Sequence, residues 1–363
     1  MRLLFLEPFY GGSHRDFADG LAKYSKHEIE LYTLPARFWK WRMRGAALHL
    51  IRQIKAPFFY DAVICSDLLG LADFKALCPR KCPPAMAYFH ENQLTYPVQP
   101  GENRDAHFGF TDITTALAAD RVVFNSNTHY EDFFHHLPGF IQMMPDYRPT
   151  WAIEKIKAKS TVCYPGCDFS AASPPALPKP QNPPLVIWNH RWEFDKQPEI
   201  FFNALETVAA RGIGFRLAVL GESYVNTPSV FKTLRSRFKD KLVHFGYAED
   251  KAAYFEWLQA GALVVSTAIQ ENFGISIVEA ARFGCLPLVP NRLVYPEIIP
   301  DKLHHMCLYD TYDELVTKLS HLLMHPLDYA AVCRQLADEM ATYDWQHRIA
   351  AFDQLLESLA AVR

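Results

Sequence analysis

The chain has 363 residues, which at roughly 100–200 residues per domain suggests two domains, each able to bury a core without disulfides or structural metals. Hydrophobic residues make up 50%, aromatic residues 14% and charged residues 21%, a globular balance that excludes wholesale disorder. The 37 Lys and Arg against 40 Asp and Glu leave a net charge of −3, so the whole chain is not a general polyanion binder, although a local basic face remains open. No apolar run approaches the ~18 residues needed to span a bilayer. The opening MRLLFLEPFYGG is too short an apolar run, and is interrupted by Glu7, so it does not read as a signal peptide. A cytoplasmic protein with no stable membrane insertion is expected. The eight cysteines are scattered, which argues against a disulfide framework. Cys78/Cys82 and Cys163/Cys167 each have three residues between them, where a zinc site would want tighter paired knuckles. Buried free thiols are expected instead.

In chain order, strand-length apolar runs occur at 2–7, 28–33, 62–66, 85–90, 121–126 and 161–165, then at 185–189, 216–221, 242–246, 262–266, 286–290 and 306–309. Continuous apolar runs mean strands buried on both faces, hence parallel sheets. Longer helical patterns alternate with them, which makes an α/β chain of doubly wound domains. Between the two sets lies SAASPPALPKPQNPP, residues 170–184, with six prolines from Pro174 to Pro184. Proline fixes φ and removes donors, so this segment is expected to be a stiff linker. The predicted division is an N-terminal Rossmann-like domain 1–168, a linker 169–184, a second Rossmann-like domain 185–344 and a C-terminal helix 345–363 packing back toward the first domain. Two doubly wound domains suit a phosphorylated ligand held at strand C-terminal ends, where helix N-termini point.

Five segments stand out. EPFYGGSH (7–14) follows the first run; Gly11 and Gly12 would let backbone approach a ligand, with a helix starting near Ser13, though a tight strand-to-helix turn would look the same. Residues 30–61 contain no acid between Glu30 and Asp61 but hold Arg37, Lys40, Arg42, Arg44, Arg52 and Lys55, interleaved with Phe38, Trp39 and Trp41. Such a pattern suits a nucleic-acid backbone with exposed bases, an anionic membrane surface, or a solvated helix face. FHENQLTYP (89–97) sets His90, Glu91, Asn92 and Gln93 at a strand end, where four adjacent polar side chains are expensive to bury without partners. NHRWEFDKQP (189–198) places Arg191 and Lys196 five apart after a strand, two cations that together can neutralise a diphosphate. QENFGISIVEAARFGCLPLVPN (270–291) puts Glu271 in a loop and Glu279 in a helix beginning near Gly274. The N–H groups of Gly274, Ile275 and Ser276 would suit a phosphate, and Glu279 could accept from both hydroxyls of a ribose.

The last two motifs resemble the family 4 nucleotide-sugar glycosyltransferases, in which an Arg and a Lys five apart are followed by two glutamates with seven between. YPGCD (164–168) resembles that family's hinge. EPFYGGSHRDF, FHENQLTYP, VVFNS, NHRWEFDKQPE, FGISIVEA and LVYPEIIP, in that order, resemble the tRNA-queuosine mannosyltransferases, which transfer mannose from GDP-mannose to queuosine in tRNA. The resemblance implies a GT-B fold, two Rossmann-like domains facing across a cleft. It implies that Arg191 and Lys196 hold the donor diphosphate, Glu279 the ribose hydroxyls, and that Glu271 faces the sugar. Gly11, Gly12, Asn189, Gly274, Ile275 and Ser276 would complete the donor side, and His90 would touch the sugar near the reacting carbon. His90, Arg191, Lys196 and Glu271 are the expected catalytic set. Ser13, His14, Glu91, Asn92, Gln93 and Asn125, with Arg42 and Arg44, are expected on the acceptor side, and Ser126 lies next to them in sequence. The implied chemistry is retaining transfer with no metal and no cofactor, the nucleotide sugar being a substrate and queuosine-bearing tRNA the partner. Arg191→Ala or Lys196→Ala is expected to cut turnover by orders of magnitude while folding survives. A lipid or glycan acceptor, or a non-catalytic nucleotide-sugar or RNA-binding module, are the alternatives.

Overall fold

The computed structural model describes residues 1–99, 101–173, 182–222 and 227–361. The chain divides into two compact units, Met1–Asp168 joined by Tyr343–Arg363, and Phe169–Thr342. Half of the predicted linker, 174–181, lies outside the described residues.

The first unit is built on six parallel strands: β1 (Arg2–Tyr10), β2 (Glu28–Pro35), β3 (Ala62–Ser66), β4 (Ala85–Phe89), β5 (Arg121–Phe124) and β6 (Ser160–Val162), in the spatial order β2-β1-β3-β4-β5-β6. The second repeats the plan with β7 (Leu185–Trp188), β8 (Arg216–Leu220), β9 (Leu242–Gly246), β10 (Leu263–Val265), β11 (Leu286–Pro290) and β12 (Leu308–Tyr309), ordered β12-β11-β10-β7-β8-β9. Every predicted apolar run contains a strand. Two boundaries differ for a local reason. β1 continues past Glu7 to Tyr10, its register against β2 shifting between those two residues, so EPFY belongs to the strand and not to a loop. At 306–309 only the last two residues pair, because the first two close the short helix His304–Cys307.

Alternation along each strand of the first sheet sends residues to two different cores. Leu4, Leu6, Val63, Cys65, Ala85 and Ala87 pack under the helices Trp39–Gln53, Leu71–Leu77, Ala106–Ala118, Asn127–Gln142 and Trp151–Lys157. Leu3, Phe5, Ala62, Ile64, Met86 and Tyr88 pack under only two, Gly12–Tyr24 and Trp345–Ala360. The latter helix is therefore half the cover of one face. Asp344 caps it by accepting from the Gln346 N–H, and the strand-like bridge of Cys167 to Asp344 leads into it. Trp345 is fully buried where Gly20 and Gly166 leave room: a Cβ on either would collide with the indole. Ser25 donates to Asp353 at 2.5 Å, and Lys26 pairs with Glu357 at 2.7 Å.

All eight cysteines are free thiols; Cys78 and Cys82 are half-buried and the others buried. Among the described residues no helix is long and apolar enough to cross a membrane.

In each sheet the strand order reverses beside the first strand of the unit, β1 in one and β7 in the other. The crevice beyond the C-terminal strand ends at such a switch point is where open α/β sheets hold ligands. The predicted motifs lie at those ends.

Candidate active site

In the first unit the site is centred on Glu7, His14 and His90. Glu7 sits fully buried on β1. Its Oε1 accepts from the Phe9 N–H at 2.9 Å and the Ser66 hydroxyl at 3.0 Å, and Oε2 lies 3.3 Å from His14 Nδ1. The helix begins at Gly12, one residue earlier than expected. The two glycines differ in what they do. Gly11 is required by the chain itself, since a Cβ there would collide with the Ala36 methyl. Gly12 has φ +52 with open space beside it, and Ser13 is exposed. The His14 ring lies against His90, centroids 4.1 Å apart. Burial alone would pull the His14 pKa down, but Glu7, aided by Asp67 and Glu91, outweighs it and pushes it up to about 9. His90 moves the other way, held well below the usual histidine range by burial and by the neighbouring His14 and His129 rings. The ligand atoms of Glu7, His14 and His90 lie within 4.8 Å of one another, a grouping that could accept a metal ion. It would do so only by displacing the proton that His14 carries toward Glu7.

The backbone of His90 is fixed from both sides. Its N–H donates to Asp67 at 2.8 Å, and its carbonyl accepts from Asn125 Nδ2 at 3.0 Å. The other end of the Asn125 amide meets His129 Nδ1 at 2.8 Å. Burial drives His129 down to about 3, so that ring is neutral. Ser126 accepts from the His129 N–H as the cap of Asn127–Gln142. Asn92 also has a local task. It is fully buried, and its carbonyl oxygen accepts from the Leu94 and Thr95 N–H groups and the Thr95 hydroxyl, so the side chain shapes the loop. Gln93 donates to Glu91 at 3.0 Å through its side chain and to Asp112 through its N–H.

In the second unit the two cations sit in opposite surroundings. Lys196 is only 6% exposed. Its ammonium donates to the Gln270 carbonyl at 2.6 Å and lies 3.2 Å from Asp195 and 3.4 Å from Glu271. Burial pulls its pKa down, but the two carboxylates outweigh that and raise it, so the charge is permanent. Arg191 keeps a half-exposed guanidinium, 3.1 Å from Glu193. Asn189 donates to Tyr254 Oη at 2.9 Å and to the Ser276 carbonyl at 2.8 Å, tying the end of β7 to the helix Ile275–Arg282. Gly274 caps that helix at φ +80. Its N–H donates to Glu271 Oε1 at 3.2 Å, and the N–H groups of Ile275 and Ser276 follow it at the helix N-terminus. Glu279 is buried inside the helix and accepts from Lys251 at 2.6 Å.

The chain resembles known proteins at three levels. Residues 2–167 match the family model described as tRNA-queuosine alpha-mannosyltransferase N-terminal, and 170–340 match glycosyl transferases group 1. The chain is 36% identical over 334 residues to a tRNA-queuosine alpha-mannosyltransferase of Drosophila melanogaster, covering 89% of this chain and 87% of that one. This chain belongs to the tRNA-queuosine alpha-mannosyltransferase family. It is a glycosyltransferase, and its fold is GT-B. Among solved structures it is similar to a sucrose-phosphate synthase from Thermosynechococcus elongatus, with TM-score 0.77, 14% identity and full coverage of both chains. It is also similar to Anabaena HepE in complex with UDP, with TM-score 0.69, 14% identity, and coverage of 99% of this chain and 100% of that one.

Within this family's frame, the structure gathers Gly12, His14, His90 and Asn125 at one sheet end, and Asn189, Lys196, Glu271, Ser276 and Glu279 at the other. Arg42 and Arg44 belong to neither group. They lie on the helix Trp39–Gln53, where Arg42 donates to the Pro35 carbonyl and Arg44 to that of His107. Of the aromatics there, Trp39 packs on Phe108, whereas Trp41 and Phe38 point outward, 76% and 68% exposed. Sequence reasoning did not single out Asp67, Asp112, His129, Asp195, Lys251 or Tyr254. Asp195 had a signal, standing next to Lys196. Lys251 had none, since it is 28 residues from the glutamate it pairs with.

Proposed function

We propose that the enzyme transfers mannose from GDP-mannose to the queuosine nucleoside of tRNA, with retention of configuration and without a metal or other cofactor. The reading of the chemistry is carried by Lys196. A buried ammonium with permanent charge, beside a helix N-terminus and a half-exposed Arg191, is suited to a diphosphate leaving group. Glu279 accepts from the ribose hydroxyls, with Lys251 holding its carboxylate. The bond from the sugar's anomeric carbon to the diphosphate oxygen breaks first, its electron pair going to the phosphate, where Arg191 and Lys196 stabilise it. The queuosine hydroxyl then bonds to the same face of the carbon, and its proton passes to the departed phosphate oxygen. His90, neutral and fixed through Asp67 and Asn125, contacts the sugar. The 36% identical relative and the match of the first 167 residues support this acceptor. The basic helix Trp39–Gln53, with Phe38 and Trp41 outward, is the face that meets tRNA, and the enzyme works in the cytoplasm.

Nucleoside mass spectrometry tests this directly. The purified enzyme is incubated with GDP-mannose and tRNA, with and without queuosine. The expected product is queuosine heavier by one hexose, in the queuosine-bearing sample only. Retained donor binding by calorimetry, with no such product, would sink the acceptor or the sugar and leave the glycosyltransferase. Binding to anionic vesicles but not to tRNA would turn the basic helix into a membrane contact.

A further inference from the structure

Glu7 is a carboxylate where the pattern of β1 calls for an apolar side chain. It is fully buried, between Leu6 and the last turn of the strand. A buried carboxylate is costly unless donors converge on it, and three do. Two of them, the Phe9 N–H and the Ser66 hydroxyl, come from the strand ends and lock the carboxylate in place. The third is His14 Nδ1, whose ring stacks at a 33° tilt on His90. This chain of Glu, His and His occupies the switch point of the first unit, next to the open space at Gly12.

Resting on the glycosyl-transfer reading, we propose that Glu7 is a positioning residue for the reaction: through Oε2 it holds the His14 ring against the face of His90.

The two rings then differ in charge although they touch. The groups acting on His14 are Glu7 from β1, Asp67 from the end of β3 and Glu91 from the loop after β4. Those acting on His90 are the rings of His14 and of His129, the latter from Asn127–Gln142. Asp67 is itself pushed up to about 8 by burial, and Asp112 on Ala106–Ala118 is raised well above the carboxylate range for the same reason. Glu7 alone among these carboxylates meets an imidazole nitrogen directly. Environments that drive two adjacent titratable groups apart assign them different roles. His14, in the first turn of Gly12–Tyr24, adds a fixed positive charge where the helix already favours an anion. His90 stays neutral, so no second positive charge opposes the cation developing on the sugar.

The test uses the full-length enzyme labelled with ring-enriched histidine and followed by NMR from pH 5 to 10. The His14 and His90 signals are assigned with His14→Gln and His90→Gln. His14 is expected to keep its proton until about pH 9. In Glu7→Gln it should lose it at or below about pH 6.5. In the same variant kcat should fall about tenfold or more at pH 7.5 with little change in KM for GDP-mannose. The alkaline limb of the pH–rate profile should move down with the titration. Glu7→Asp, which keeps the carboxylate, should restore part of both. A role in folding alone would lower the melting temperature without moving the limb. A Glu7→Gln enzyme with unchanged kcat and profile overturns the proposal. If Glu7→Gln does not fold, His14→Gln, which leaves Glu7 no imidazole to hold, decides instead, and an unchanged kcat in it overturns the proposal. If wild type makes no hexosyl-queuosine, the substrate reading falls separately, and hydrolysis of GDP-mannose supplies kcat.

Discussion

Lys196 and Arg191 carry the same charge, but removing each has different consequences. Arg191 is half-exposed and pairs with Glu193 in solvent, where such a pair contributes ~0–1 kcal/mol. Arg191→Ala should therefore leave the melting temperature almost unchanged while kcat drops by about 10²–10³. Lys196→Ala removes the cation that Asp195 and Glu271 share and leaves the buried Asp195 carboxylate unpaired, a loss of about 3–5 kcal/mol on top of the catalytic defect. The sequence reading expected both variants to stay folded; the structure separates them. Thermal unfolding run beside single-turnover transfer distinguishes the two effects. Equal melting temperatures in the two variants would count against the buried ion-pair account. Residue types and spacing made both cations visible in the sequence. Burial did not show, because it depends on Gln270 and Glu271, more than seventy residues away. The same holds for Asn92, whose polar neighbours suggested a binding loop and whose oxygen closes that loop on Leu94 and Thr95.

At the level of elements, the strands were legible because the central ones are apolar along most of their length, as burial on both faces demands. Glu7 hid the true length of β1: one carboxylate ended the apolar run, yet the chain stays extended to Tyr10. The helix Trp39–Gln53 was legible as a charge pattern, and the structure refines it. Trp39 is spent on Phe108, while Trp41 and Phe38 face solvent among the cations. Arg42 and Arg44 make only carbonyl hydrogen bonds at the surface, so reversing them should cost little stability. Arg42→Glu with Arg44→Glu should weaken tRNA binding and lower the slope of log affinity against log salt by about two, one for each phosphate left without its arginine. Filter binding across a salt series measures this. An unchanged slope would place the RNA elsewhere on the surface.

For the molecule as a whole, the governing feature is that the chain leaves the first unit at Asp168 and returns to it at Tyr343. The return depends on one side chain. Trp345 fills a space that exists because Gly20 and Gly166 have no Cβ, and Phe352, Leu356 and Leu359 follow it along the helix onto the same core. Trp345→Ala should destabilise by about 3–5 kcal/mol. Gly20→Ala should cost about 1–3 kcal/mol or more through overpacking. Calorimetry should show the loss in the transition of the first unit, with that of Phe169–Thr342 unmoved. A shift of both together would mean the two units melt as one. The helical spacing of the last residues was readable in the sequence, but the glycines that receive the tryptophan were not, since a glycine gives no sign of which neighbour it makes room for.

That return also sets an order of events at the ribosome. The six strands of the first sheet are synthesised before Phe169, yet one face of that sheet lacks half its cover until Trp345–Ala360 emerges. At ~5–20 residues per second, the intervening unit takes on the order of ten to thirty seconds to make. During that interval the later unit can complete its own core while the earlier one keeps Phe5, Ile64 and Met86 open. Folding thus finishes in the reverse of the order of synthesis, and a ribosome that stalls before Trp345 releases a chain whose second unit is whole and whose first is not.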